Sequence, residues 1–221
     1  MISANLATFS ARRDIVNKAI ASLLPQVDIV RVWYNDYQPK THPNPKVQQY
    51  YNGVDITDKG KFAFVEKGNE IYLSCDDDIV YPVWYSERMK TYLDKFPNSI
   101  ITFHGRKLIG TGRDYYRGHQ TFHFLRDVRD DTMIDVPGTG VSGFRTDQFT
   151  PDILKYPEQR MADVLLGLEA AKACKSIICL SHSCFDFKSL SRTGIFQEDS
   201  RGAYRQSELS DEIYRLKNRL D

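Results

Sequence analysis

Three consecutive carboxylates, Asp76, Asp77 and Asp78, stand between an apolar run, Ile71 to Leu73, and a helical pattern that opens after Tyr81-Pro82. Adjacent negative charges at a strand end repel one another and lose solvation, so a fold gains little from them. A hard cation with phosphate ligands would give them a use. Residues i and i+2 of an extended segment share a face, so Asp76 and Asp78 are expected to reach one site while Asp77 points elsewhere. Proteins commonly hold a magnesium-type ion through one or two carboxylates and let phosphate oxygens complete its shell. A solvated acidic cap on the following helix fits the same letters, because Asp is frequent at such positions.

The surrounding pattern places this run. Residues 2–6 read as a first strand, and Ser10 as the cap of a helix over about 11–24. Its Ile15, Val16, Ala19, Ile20, Leu23 and Leu24 recur at helical spacing, and Pro25 stops it. Residues 29–34 are β-branched and aromatic and read as a second strand, and 35–52 as a loop. Further strands are expected at 62–65, 71–73, 99–103, 121–125, 132–136 and 176–180, with helices over 83–96 and 160–174. Strands alternating with helices imply an α/β fold: a mostly parallel central sheet with helices on both faces. Ligands of such sheets bind beyond the carboxyl ends of the strands, which is where the aspartates fall.

Composition narrows the classes. The 221 residues suit one domain with an appendage, divided here as 1–200 and a helical tail or linker over 201–221. Lys and Arg total 30 against 29 Asp and Glu, so no broad nucleic-acid face is indicated. Cys75, Cys174, Cys179 and Cys184 form no CxxC pair and read as reduced thiols of a cytosolic protein. No apolar stretch approaches the roughly 18 residues of a membrane span, and no signal-peptide pattern opens the chain. From 105 to 120 the chain is basic and glycine-rich, carrying Arg106, Lys107, Arg113, Arg117 and His119. It reads as a surface loop, either plainly solvated or facing an acidic ligand. In the tail, Leu209, Ile213, Leu216 and Leu220 make a helical seam that could dock on the domain, pair with a second copy or lead into another domain.

Gly138-Thr139-Gly140-Val141-Ser142-Gly143 matches the GxGxxG letters of a dinucleotide-binding turn. That fingerprint needs a first strand before it and a long helix after it. Pro137 interrupts before the glycines, and the residues up to Pro151 leave no room for a helix. The glycines instead suit a tight turn or a close backbone approach to a ligand.

Taken together the chain resembles the nucleotide-sugar-dependent glycosyltransferases of the GT-A fold, near the family-2 type of bacterial surface-polysaccharide assembly. The resemblance rests on Ser3-Ala4-Asn5-Leu6-Ala7-Thr8 with Arg12, Ser22 to Asp28, Asp58-Lys59-Gly60-Lys61-Phe62, Cys75 to Pro82, Gly138-Thr139-Gly140 and Met161-Ala162-Asp163-Val164. It spans residues 1 to about 185. By position it implies that Ala4, Asn5, Thr8 and Arg12 border the nucleotide and that Lys61 lies near base or diphosphate. Asp76, with Asp77 beside it, would serve the nucleotide-sugar side, and Asp78 would hold a manganese or magnesium ion. Gly138, Thr139 and Gly140 would line the acceptor side. Asp163 takes the place of the catalytic base of inverting members, and His182 that of a further metal ligand.

The implied partners are a nucleoside diphosphate sugar, with uridine diphosphate as the first expectation, and a glycan or glycolipid acceptor. The implied location is the cytoplasm or the inner face of the membrane. Each residue also has a plain structural reading: Lys61 as a surface lysine, Asp163 as a helix-dipole partner, His182 as an ordinary loop histidine. A sugar-phosphate nucleotidyltransferase and a non-catalytic sugar-nucleotide or glycan-binding module are the competing functions. The first would carry a glycine-rich basic loop after its first strand, which residues 7–13 lack.

Overall fold

The computed structural model describes residues 1–110, 118–191 and 200–218. Strand β1 (Ile2–Thr8) is followed by helix α1 (Val16–Leu23) and then by strands β2 (Ile29–Tyr34), β3 (Val47–Tyr50) and β4 (Ile71–Asp76). A short β5 (Ile79–Val80) precedes α2 (Tyr85–Lys95), β6 (Ser99–Thr102) and the hairpin β7 (Gly105–Leu108) with β8 (His119–Phe122). There follow β9 (Thr132–Met133), β10 (Val136–Pro137), β11 (Val141–Arg145), α3 (Ala162–Lys172), β12 (Ser176–Cys179), β13 (Lys188–Ser189) and α4 (Ser200–Asn218).

The central sheet has eight strands in the order β3-β2-β1-β4-β11-β6-β12-β9. All neighbours are parallel except β11, which opposes both β4 and β6, and β9, which opposes β12. This is a Rossmann-like α/β architecture with a mostly parallel sheet. Tyr72, Leu73, Ser74 and Cys75 are all buried, as a strand covered on both faces requires. One face packs Leu6, Val30, Leu73 and Ile101 with the apolar stripes of α1 and α2. The other packs Tyr72, Ile100, Phe144 and Ile177 against α3 and α4. No helix among the described residues is long and apolar enough to cross a membrane.

Four local expectations change. The helix expected from residue 11 is a 3-10 turn at Ser10–Arg12 followed by α1 from Val16. The Ser10 hydroxyl donates to Asp36 instead of accepting from a helix N–H, and the turn brings Arg12 inward. The segment 35–52 is not all loop. It contributes the edge strand β3, hidden in the sequence because only Val47 of it is buried. The aromatic run at 62–65 is no strand. Phe62 closes a 3-10 turn (Thr57–Phe62) and enters the α3-side core, whereas Phe64 lies 4.6 Å from the Tyr50 ring. A short apolar run is ambiguous by periodicity alone, and tertiary contacts decide it. The basic segment 105–120 is the β7–β8 hairpin at both ends, with Arg106 buried; Arg113 and Arg117 lie outside the described residues.

The tail docks on the domain. Leu209 and Ile213 are buried in the α3-side core, and Lys217 Nζ reaches the Asp135 carboxylate at 2.8 Å. Leu216 packs at its edge, and Leu220 lies outside the described residues. The two most deeply placed residues of the seam are therefore not available to a second copy. Ile213→Ala is expected to cost about 2–5 kcal/mol of unfolding free energy, the range for truncating a buried aliphatic residue. Denaturant titration reads this out, and light scattering should show an unchanged mass. A neutral substitution would contradict the docking.

Candidate active site

The expected site residues gather at the carboxyl edge of the sheet, where β1, β4 and β6 end and the turn before β11 begins. Asp76 is the last residue of β4. Its backbone N–H donates to the Tyr81 hydroxyl at 2.7 Å, and that hydroxyl donates to the Gly140 carbonyl at 2.6 Å. Tyr81, buried after the aspartates, thus pins the acidic turn to the glycine turn. Gly140 is required there. A Cβ on it would lie 2.1 Å from Asp76 Oδ2, too close for any other residue without displacing the carboxylate. Gly140→Ala is expected to lower stability by about 1–3 kcal/mol through overpacking. Unchanged denaturant unfolding would show that Asp76 has room to move.

The three carboxylates do not divide as the extended-strand rule implies. The strand ends at Asp76, so alternation of faces stops there and residues 77–78 form a turn. Asp77 and Asp78 share Arg12, which contacts Asp78 and lies 3.7 Å from Asp77. Asp76 pairs with Lys61 on the other side. Asp77 is buried and accepts a 2.7 Å hydrogen bond from Thr8 Oγ1. Burial pushes its pKa up to about 7 against the opposing pull of Thr8 and Arg12. Asp77 therefore braces the turn, whereas Asp76 keeps 40% of its side chain exposed at the sheet edge. Desolvation also raises the Asp76 pKa, with the Lys61 ammonium working against it.

Lys61 is no surface lysine. Burial would lower its pKa, but the carboxylates of Asp76, Asp58 and Asp163 outweigh that and hold it above the ordinary lysine value. Asp58, whose role the sequence did not disclose, accepts a 3.0 Å hydrogen bond from the N–H of Ala162, the first residue of α3. It caps that helix from 104 residues away.

Asp163, in the first turn of α3, accepts through Oδ1 from the Thr139 N–H at 2.8 Å and the Thr139 hydroxyl at 2.6 Å. No hydrogen bond to its Oδ2 occurs among the described residues. Thr139 is held in turn, because its carbonyl accepts from buried Ser74 at 2.5 Å. The Gly138–Gly140 turn is thus flanked by Asp76 on one side and Asp163 on the other. It runs into an antiparallel strand, not a helix, so the dinucleotide letters carry no dinucleotide site.

His104, another residue missed in the sequence, sits over Gly138. A Cβ there would be 2.1 Å from its ring, and its Nδ1 is buried without a hydrogen-bond partner. Burial lowers its pKa to about 3, which keeps the imidazole neutral. A lone histidine after a strand gives no signal in a sequence.

Three expected residues stand apart. Ala4 is fully buried in the apolar core, and Asn5 is fully buried with its amide donating to Ser3 Oγ and the Leu73 carbonyl. Both lie in the middle of β1, and only its end at Thr8 reaches the edge, so neither joins the aspartates there. His182 is also buried. Its Nδ1 lies 2.7 Å from the Leu180 carbonyl and its Nε2 3.1 Å from the His123 carbonyl, so neither nitrogen is presented to the aspartates.

The carboxylates fit a hard divalent cation by their chemistry. Asp76 and Asp78 offer oxygen ligands, and five carboxylates (Asp58, Asp76, Asp77, Asp78, Asp163) face two buried cations, Lys61 and Arg12. Among the described residues no three His, Cys, Asp or Glu side chains are placed to hold a metal ion together. The protein would supply one or two ligands and leave the remainder to phosphate and water, as is usual for magnesium. No protein-family model matches the chain, and no curated protein matches it.

Proposed function

We propose that this chain is a glycosyltransferase that moves a sugar from a nucleoside diphosphate sugar, uridine diphosphate being the first candidate, to a hydroxyl of a glycan or glycolipid. The observation that carries this reading is the placement of Asp76 and Asp163 on opposite sides of one glycine turn at the sheet's carboxyl edge. On this reading a donor-binding carboxylate and a proton-accepting carboxylate serve one site.

Glycosyl transfer makes two demands. The departing diphosphate gains negative charge, and the acceptor hydroxyl must lose a proton. Lys61 and Arg12 meet the first by holding fixed positive charge where the diphosphate would lie, without reorganising during the reaction. A magnesium or manganese ion on Asp78 and Asp76, when bound, supplies further charge neutralisation at the diphosphate. Asp163 meets the second demand. Thr139 anchors one of its oxygens and so aims the other at an acceptor proton. With attack opposite the leaving group, the sugar inverts at its anomeric carbon. The proposed place of work is the cytoplasm or the inner face of the membrane.

The test is a product assay with a panel of nucleoside diphosphate sugars, manganese and simple glycoside acceptors, read by mass spectrometry. Transfer with inverted stereochemistry supports the reading. Donor binding without any turnover would favour a binding module, and formation of a nucleotide sugar from sugar phosphate and nucleoside triphosphate would favour a nucleotidyltransferase.

A further inference from the structure

Both carboxylates assigned to the divalent ion already hold a cation that belongs to the protein. Lys61 Nζ lies against Asp76, and the Arg12 guanidinium against Asp78. The side chains of Lys61 and Arg12 are only 4% and 8% exposed, so neither is a surface charge that happens to reach in.

Both are anchored. The Lys61 carbonyl accepts from the buried Tyr72 hydroxyl at 2.6 Å. Gly60 before it lies so close to Trp33 that a Cβ would come within 2.7 Å of the indole ring. Arg12 ends a 3-10 turn whose first residue, Ser10, is tied through its N–H and hydroxyl to Asp36, each at 2.6 Å. Arg12 Nη1 is buried against the Asp78 carboxylate and lies 3.7 Å from that of Asp77. A guanidinium carries several N–H donors in a planar fork, which suits a planar array of oxyanion acceptors such as phosphate.

The two kinds of ligand therefore obstruct each other's absence. A divalent ion arriving alone must take carboxylates that already have partners and sit beside two fixed like charges. A diphosphate arriving alone meets cations whose charge the aspartates have neutralised. Arriving together they exchange partners: phosphate oxygens take Lys61 and Arg12, and the ion takes the released carboxylates.

We propose that Lys61 and Arg12 are built-in counter-ions that make the divalent ion and the nucleoside diphosphate bind as a coupled pair, each weakly alone. This rests on the reading of the cleft as a nucleoside diphosphate site. The coupling is reciprocal by linkage, so each ligand tightens the other by the same factor.

The experiment is calorimetric titration of the full chain with manganese alone, with uridine diphosphate alone, and with each in the presence of the other. The values are corrected for the association of the two ligands in free solution. In the wild type each ligand is expected to tighten the other by a factor in the usual coupling range, about 5–150-fold. Lys61→Gln should bind manganese alone about tenfold more tightly, because a like charge is gone. It should bind the nucleotide more weakly and show coupling reduced to a few-fold.

Arg12→Gln acts at the other carboxylate and should shift all three quantities in the same sense. It carries the test if near-ultraviolet circular dichroism shows Lys61→Gln to be unfolded. Manganese affinity that is unchanged or weaker in the folded variants overturns the inference. So does wild-type nucleotide binding that is indifferent to manganese, although that result leaves the nucleotide site intact. Failure of the wild type to bind uridine, guanosine or thymidine diphosphate under any metal condition overturns the nucleotide reading itself, and the inference with it.

Discussion

Asp163→Asn should abolish sugar transfer almost completely while leaving donor binding and folding in place. A general base contributes typically about 10²–10⁴-fold to a rate, and an amide has no basicity to replace it. The structural cost is small because Asn keeps an oxygen that can accept from the Thr139 N–H and hydroxyl, the two bonds that hold the native carboxylate. The lost helix-terminus charge affects stability by about 1 kcal/mol or less. Steady-state kinetics, donor titration and thermal unfolding on one preparation separate these effects. Turnover within a few-fold of wild type would remove Asp163 from the mechanism. Asp135 and Asp147 are weak substitutes, since Asp135 is paired with Lys217 and Asp147 with Arg145.

The second large effect is expected at Asp78. A ligand that binds only the native state adds about 2.7 kcal/mol of stability at a concentration 100 times its Kd, so uridine diphosphate with manganese should raise the melting temperature of the wild type measurably. Asp78→Asn should lose most of that gain. The unliganded variant should remain folded but melt lower, because Arg12 is left with Asp77 as its remaining counter-charge. Differential scanning fluorimetry with and without chelator checks both parts. A wild-type gain that chelator does not touch would rule out the metal.

Asp163→Asn and Asp78→Asn test the two proposed roles separately, and their signatures differ. The first should lose rate without losing donor affinity, and the second should lose affinity. Loss of both by either variant would point to collapse of the Gly138–Gly140 turn, which Tyr81 holds at Gly140 and residue 163 at Thr139. Thermal unfolding of the unliganded variants distinguishes that case.

Much of the architecture was legible in the chain because it depends on local patterns. The apolar runs of β4, β6 and β12 announce strands buried on both faces, β1 and β2 show as short strand segments, and α2 and α3 show as long helical patterns. The order of these elements was enough to infer a mostly parallel α/β sheet and to put the aspartates at its carboxyl edge. Local patterns misled where a neighbour in space decided the outcome. The aromatics at 62–65 went to separate contacts, the edge strand β3 had too little burial to show, and Ser10 found Asp36 before it could cap a helix.

By itself, then, the sequence determined the class of fold, the buried faces of its elements and the edge at which acidic chemistry collects. These follow from each segment's own periodicity and from where its charges fall. The tertiary structure alone decided which cation meets which carboxylate, that Ala4 and Asn5 are buried, that His182 is turned to backbone carbonyls, and that Asp58 caps the helix carrying Asp163. Those pairings join segments as many as 104 residues apart. They depend on which segments the fold sets side by side, as where β11 runs antiparallel between β4 and β6 and lays the Gly138–Gly140 turn across the end of β4. No local pattern in the chain encodes that insertion.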